Sequence, residues 1–319
     1  MSTLTNGASD RDAGGVGTLA SASLAVPRIV PTRHPGRWIL AAVVLLLLAE
    51  LIRSAMTNRA FLWGTYSEYF FSPTIITGLK LTLELTVTAM SIGIVLGIVL
   101  ALMRLSSNKL LSTFSWSYAW LFRGTPTLVQ LIFFYNLAAL YPHLSLNVPF
   151  GPTLASTSTN HAITPFVAGI LGLGLNEAAY MSEIVRGGIM SVGRGQTEAA
   201  MGIGMTKGKT FRRIVLPQAM RVIVPPTFNN IIGMLKYSSL VSVLALGELL
   251  YATEQAYSAN FKPIPLLLVA STWYLICTSF LMIGQRFLER YLSRGYGQSN
   301  SGESRWAGRL KWPTQESPA

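Results

Sequence analysis

Long apolar runs separated by short, mostly basic stretches organise this chain. Residues 85–103 contain no Asp, Glu, Lys or Arg, and neither do residues 263–285, between Lys262 and Arg286. A helix needs about 20 predominantly apolar residues to cross a bilayer, so each run predicts a span. The same pattern predicts six spans: Trp38–Ile52 and about 75–103, 124–141, 164–185, 216–236 and 264–285. Residues 1–36 are rich in Gly, Ser, Thr, Ala and Pro with little apolar periodicity, which predicts a disordered cytoplasmic tail. The apolar stretch at 37–56 reads as an additional N-terminal transmembrane helix, a retained anchor with Glu50 near enough to its end to snorkel. Gly93 and Gly97 stand in a GxxxG spacing that permits close helix contact.

Composition sharpens the membrane reading. Half of the residues are hydrophobic and 12% are charged, against about 25% charged in soluble domains. A net charge of +12 raises the question of nucleic acid, but the placement of Lys and Arg fits a membrane topology instead. With the N-terminus inside, twenty of them fall on the cytoplasmic side and four, Arg53, Arg59, Lys236 and Lys262, on the other, with Lys80 inside a span. Basic residues concentrate in cytoplasmic loops, so both termini are expected inside. The basic groups include loop 104–123, segment 186–221 and a C-terminal tail at 291–319.

Catalytic chemistry has little to build on. The aspartates, Asp10 and Asp12, lie in the tail, and His34, His143 and His161 are scattered without metal-site spacing. Cys277, the lone cysteine, reads as a small packing residue. Gly208-Lys209-Thr210 resembles the end of a phosphate loop, but Ile203 stands where that motif requires glycine and no strand precedes it. No nucleotide, metal or other cofactor is therefore expected on this chain.

Segment 186–217 is more specific. Glu198, Ala199 and Ala200 favour a helix, with Gly202 and Gly204 following as terminators or close-approach sites. The acid Glu198 stands among basic residues, which suits a directional contact with a partner. The spacing Glu198-Ala199-Ala200, Gly204, then Ile214, Leu216 and Pro217 resembles the signature of binding-protein-dependent ABC permeases. Arg123-Gly124-Thr125-Pro126, Gly195-Gln196, Pro217-Gln218-Ala219 and Arg294-Gly295-Tyr296 resemble elements of the polar amino acid subgroup, the histidine, glutamine and arginine type.

That resemblance covers residues 72–297 and implies an all-α, type I ABC importer permease fold. Its five-helix core would occupy 72–290, with a coupling loop at 186–217, and the helix at 37–56 is an addition. It further implies ATPase subunits carrying ATP and Mg, a second permease copy or paralogue, and an extracytoplasmic solute-binding protein. The transported solute would be a polar or charged amino acid, moved by alternating access. Gly195, Gln196, Glu198, Ala199, Ala200, Gly204, Ile214, Leu216 and Pro217 would serve ATPase coupling.

Residues 216–247 are apolar but interrupted by Pro225, Pro226, Asn229, Asn230 and Gly233. Broken helices persist at membrane depth where protein or a water-filled cavity covers the freed backbone. The segment is thus a candidate pathway lining, beside the reading of a kinked structural helix. Lys80, Glu84, Glu177, Glu183, Lys236 and Glu248 are ionisable groups in or near spans, and such groups are functional candidates. Lys80 and Glu84, four apart, can instead pair with each other. By type and place, Asn176, Tyr180, Asn229, Asn230, Lys236, Ser238 and Ser239 are the candidate contacts for a polar solute. An ion-coupled secondary transporter stands as the alternative, and it would need an internal repeat and membrane-embedded ion ligands.

Overall fold

The computed structural model describes residues 35–147 and 153–293. The predicted N-terminal tail up to residue 34 and the C-terminal Arg294-Gly295-Tyr296 element lie outside these residues. The chain divides into two compact units, 1–58 and 59–319.

The described part of the first unit is one apolar helix, α1 (Pro35–Thr57). Its 23 residues give about 35 Å of length, enough for a span. Glu50 and Arg53 form an i,i+3 ion pair of 2.6 Å, so the carboxylate is neutralised within its own helix rather than by snorkelling alone.

In the second unit, a short helix α2 (Trp63–Phe70) leads into α3 (Pro73–Leu105). Ser72 caps α3 by accepting from the Ile75 N–H, and Pro73 stands in the first turn, where its missing N–H costs nothing. Helix α4 (Lys109–Gly124) follows after a turn at 106–108, then α5 (Thr127–Tyr135). A hairpin pairs β1 (His143–Asn147) with β2 (Thr153–Ser158) antiparallel. The short α6 (Thr159–Ala162) precedes α7 (Pro165–Met190), and α8 (Arg194–Gly202) follows. Helix α9 (Lys207–Thr210) continues through one wide turn of π geometry, Phe211–Val215, into α10 (Leu216–Tyr237). A 3-10 stretch, Ser238–Leu244, carries that axis on. Then α11 (Leu249–Asn260) and α12 (Pro263–Ser293) complete the unit.

The centre is α7, which lies parallel to α3. Gly93 faces Glu177 and Gly174, and Gly97 faces Met181 and Ala178, so both indices rise together. The GxxxG pair therefore has its partner in α7. Leu85, Ala89, Leu131, Leu173, Met181, Ile223, Met234 and Val241 form the main core around this contact. A smaller cluster, Ile75, Leu249, Val269 and Ala270, joins α3, α11 and α12 beneath the aromatic rings of α2 and Trp273. With α4–α5 running beside α7, and helix 207–244 and α12 closing the bundle, the core is all-α and built of five packed helical elements. The hairpin is the one sheet among the described residues.

Several boundaries differ from the sequence-based expectation. The third span is not one helix at 124–141. Helix α5 is nine residues, about 14 Å, too short to cross alone, and the third element of the bundle is the broken pair α4–α5 over 109–135. Arg123 consequently lies in that element, and the loop expected at 104–123 shrinks to 106–108. Segment 186–217 is mostly helical, since α7 runs to Met190, α8 occupies Arg194–Gly202 and α9 starts at Lys207. Helix α10 is unbroken through Pro225 and Pro226. Each proline removes only its own N–H, and Thr227 Oγ1 donates to the Ile223 carbonyl at 2.7 Å to hold that turn. The interruption falls later, at Ala245–Glu248, where the axis of 207–244 bends by 48° into α11. Lys80 and Glu84 are both exposed and do not form an ion pair.

Candidate functional site

The first element of the site is the break between α4 and α5. Pro126 has no N–H to donate and pushes Thr125 into extended backbone, φ −115° and ψ 145°. The carbonyls this leaves unpaired find side-chain donors. Thr125 Oγ1 donates to the Leu121 carbonyl at 2.9 Å. Gln130 Nε2 donates to the Phe122 carbonyl at 2.8 Å and to Thr125 Oγ1 at 2.6 Å. Asn176 Nδ2, from α7, donates to the same Phe122 carbonyl at 2.9 Å and to Gln130 Oε1 at 3.1 Å. A buried polar network thus holds an irregular backbone at depth, where an unsatisfied carbonyl would cost several kcal/mol.

Beside it opens a cavity of about 440 Å³ between the α4–α5 break, α7 and α10. Its polar lining includes Thr127, Asn176, Glu177, Tyr180, Asn229 and Asn230. Glu177 is 6% exposed, and its Oε1 accepts from Asn230 Nδ2 at 2.7 Å, joining α7 to α10. Asn229 Oδ1 accepts from Gln285 Nε2 at 3.1 Å, which draws α12 to the same place. Arg123 stacks its guanidinium on the Tyr180 ring, 5.4 Å from the centroid, and is not itself among the residues that line the cavity.

Four of the seven candidate pathway residues therefore come together here: Asn176, Tyr180, Asn229 and Asn230. The other three do not. Lys236 and Ser239 face a separate crevice with Tyr274 and Thr278, on another side of the helix. Ser238 is fully buried and donates to the Leu235 carbonyl at 2.7 Å. Glu177 joins the cavity, although sequence reasoning held it only as one ionisable residue among six. Gln130 and the Phe122 carbonyl carried no signal, because the bonds between them exist only once the helix breaks.

At the other functional region, Arg194–Gly202 forms the helix expected from Glu198-Ala199-Ala200. Gly195, Gln196, Glu198 and Ala199 are exposed, and Ala200 turns its methyl inward at 5% exposure. The helix closes in a Schellman motif: the Gly204 N–H donates to the Met201 carbonyl at 2.9 Å and the Met205 N–H to the Ala200 carbonyl at 3.1 Å. That closure needs a left-handed residue, and Gly204 has φ +85°. Ile214 and Leu216 are half-buried at the wide turn that admits Pro217 into the continuing helix. Gln218 Nε2 donates to the Ile214 carbonyl at 3.0 Å and steadies that turn.

Apolar crossing helices, a backbone break clothed in polar side chains and a polar cavity beside it define a membrane transport protein. Comparison with known proteins places it further. Residues 93–294 match the family described as binding-protein-dependent transport system inner membrane component, and the chain belongs to that family. It is 47% identical to the arginine transport system permease protein ArgU of Corynebacterium glutamicum, over 86% of each chain. It is 36% identical to the histidine/lysine/arginine/ornithine transport system permease protein HisQ of Escherichia coli, over 71% of this chain and 96% of that one. A chain in the crystal structure of an amino acid ABC transporter with histidines superposes with a TM-score of 0.61 at 33% identity, covering 70% of this chain and 97% of that one. The family assignment decides for the ABC permease and against the ion-coupled alternative. It also makes this chain the membrane component of its transporter.

Proposed function

We infer that the chain carries a cationic amino acid across the cytoplasmic membrane, as the permease subunit of an ATP-driven importer. The observation that bears this reading is the cavity: Glu177, the one charged side chain in its lining, stands among three amides, Thr127, Tyr180 and Tyr237. A buried carboxylate favours a cationic group strongly, because little water screens the attraction. The cavity's volume lies within the range of about 300–1,000 Å³ usual for small-molecule sites. Arginine and histidine in the names of similar permeases agree with that charge.

In this reading the chain has no nucleotide site of its own. ATP and Mg belong to partner ATPase subunits docked on Gly195, Gln196, Glu198 and their neighbours. A second permease copy or paralogue completes the pathway, and an extracytoplasmic binding protein delivers the solute. Movement of α8 passes through the wide turn at Phe211–Val215 into the continuous helix 207–244, whose residues 229–240 wall the cavity. That gives alternating access a mechanical route.

The test is uptake of labelled arginine, lysine and histidine, against glutamine and glutamate, by cells carrying the permease with its partners. Glu177→Gln should lower cation uptake by at least about tenfold, the effect of about 1.4 kcal/mol, with membrane abundance and ATPase copurification unchanged. Uptake confined to neutral or acidic solutes, or a Glu177→Gln variant equal to wild type, would overturn the cationic assignment.

A further inference from the structure

We propose that Glu248 is a positioning residue for transport, clamping the far end of the pathway helix so that motion arriving from the coupling helix is converted at the cavity. The inference rests on the transport reading for its function and on separate geometry for its residues. Glu248 is 0% exposed and lies outside the cavity. A buried carboxylate persists only when its oxygens are satisfied, and here they are. The Tyr251 N–H donates to Oε1 at 2.8 Å, which makes Glu248 the N-cap of α11. The Tyr274 hydroxyl, from α12, donates to Oε2 at 2.9 Å, and Thr82 Oγ1, from α3, lies 3.3 Å from the same oxygen. Thr82 Oγ1 also accepts from the Leu249 N–H at 3.0 Å. Contact is close enough that a Cβ on Gly78 of α3 would sit 2.8 Å from Ala252 Cβ and 3.1 Å from the Glu248 carbonyl. One carboxylate thereby joins three helices.

Its place along the chain gives the clamp its function. Helix 207–244 is continuous for 38 residues, about 57 Å, from within the coupling segment, past the cavity, to the bend. The four residues of the bend, 245–248, include Ala245 in left-handed backbone at φ +56° and a glycine, Gly247. Few-residue breaks of this kind absorb the backbone rotation of a hinge. A rod driven at one end and pivoting about a fixed point at the other converts that motion into displacement at its middle. Glu248 fixes the pivot, because it ties α11 to α3 and α12 on the far side of the bend.

Two variants separate clamping from capping. Glu248→Asp keeps a carboxylate at the N-cap but is too short to reach Tyr274, and Tyr274→Phe removes the hydroxyl while leaving the acid and cap intact. Each is measured in the assembled, reconstituted complex for membrane abundance, ATP hydrolysis, solute uptake and amide hydrogen exchange of Leu249–Thr253. We expect near-normal abundance, faster exchange in α11, and uptake per ATP lowered about tenfold, the scale of one hydrogen bond to a charged group. KM should stay unchanged, and the double variant should be no worse than Glu248→Asp alone, since that change already cuts the link to Tyr274. Unchanged uptake per ATP with faster exchange would overturn the proposal by showing a clamp that only holds the fold. Lost abundance in both variants would do the same. If the wild-type complex moved no amino acid, the substrate reading would fail on its own. Stimulation of ATP hydrolysis by the binding protein would then decide the clamp, its loss in both variants supporting it and its retention overturning it.

Discussion

Gly204 shows how a single backbone angle ties a signature residue to its function. Its φ of +85° closes α8, and a Cβ added there would meet nothing within 4 Å. The constraint is therefore conformational and not steric. Left-handed backbone costs an L-residue about 1–2 kcal/mol, least for asparagine. Gly204→Ala should fray the end of the coupling helix and weaken ATPase copurification several-fold, whereas Gly204→Asn should retain most of it. Glu198 differs, being exposed on that helix with no hydrogen bond or ion pair from its side chain among the described residues. Glu198→Lys should shift stability by no more than about 0.5 kcal/mol and yet abolish ATPase association. Copurification, scored against membrane abundance, checks all three. Equal losses in Gly204→Ala and Gly204→Asn would show that absence of a side chain, and not the backbone angle, is what the partner requires.

Among the elements, α3 and α7 set the geometry that the cavity depends on. A Cβ on Gly93 would lie 2.7 Å from Glu177 Cγ, and one on Gly97 would collide with Met181. These glycines let two helix backbones approach closely enough for packing and weak hydrogen bonds to hold them where lipid supplies no hydrophobic drive. Gly97→Leu should cost about 1–3 kcal/mol or more of overpacking and appear as reduced membrane abundance. Gly93→Ala should spare abundance better and reduce uptake, because the residue it displaces is the cavity acid. Immunoblot and uptake on the same membranes measure both, and equal loss of abundance would remove the link to Glu177. The GxxxG spacing was visible in the sequence, but its partner was not, because one helix pattern carries no information about which face of which neighbour it meets.

For the whole molecule, the parallel packing of α3 and α7 puts the α2 end of the bundle opposite the coupling helix. Combined with the excess of Lys and Arg in the segments on the coupling side, this predicts both termini in the cytoplasm. A reporter active only in the cytoplasm should work when fused after residue 297 or within 106–108, and should fail within 141–162. Activity from the last position would reverse the topology. The insertion window on the cytoplasmic side is narrower than the sequence implied. Residues 109–123 are helix, and Arg123 stacks on Tyr180 within the bundle rather than standing in a basic loop.

What the chain determined by composition and spacing alone was membrane residence, the long apolar helices and the coupling signature. Each of these is a local property: a run of uncharged residues, or residue types at fixed separations on one short segment. The cavity was a different matter. Asn176 and Asn230 could be named as polar residues in apolar surroundings, but only the tertiary structure decided that they converge with Glu177 while Lys236 and Ser239 turn elsewhere. The double proline was legible as a break and proved not to be one, since neighbouring hydroxyl and backbone bonds kept α10 intact. Thr125-Pro126 did break its span, because Gln130 and Asn176 were positioned to satisfy the exposed carbonyls. Whether a helix breaks, and where a polar side chain points, is settled by partners distant in sequence, and those partners exist only in the packed bundle.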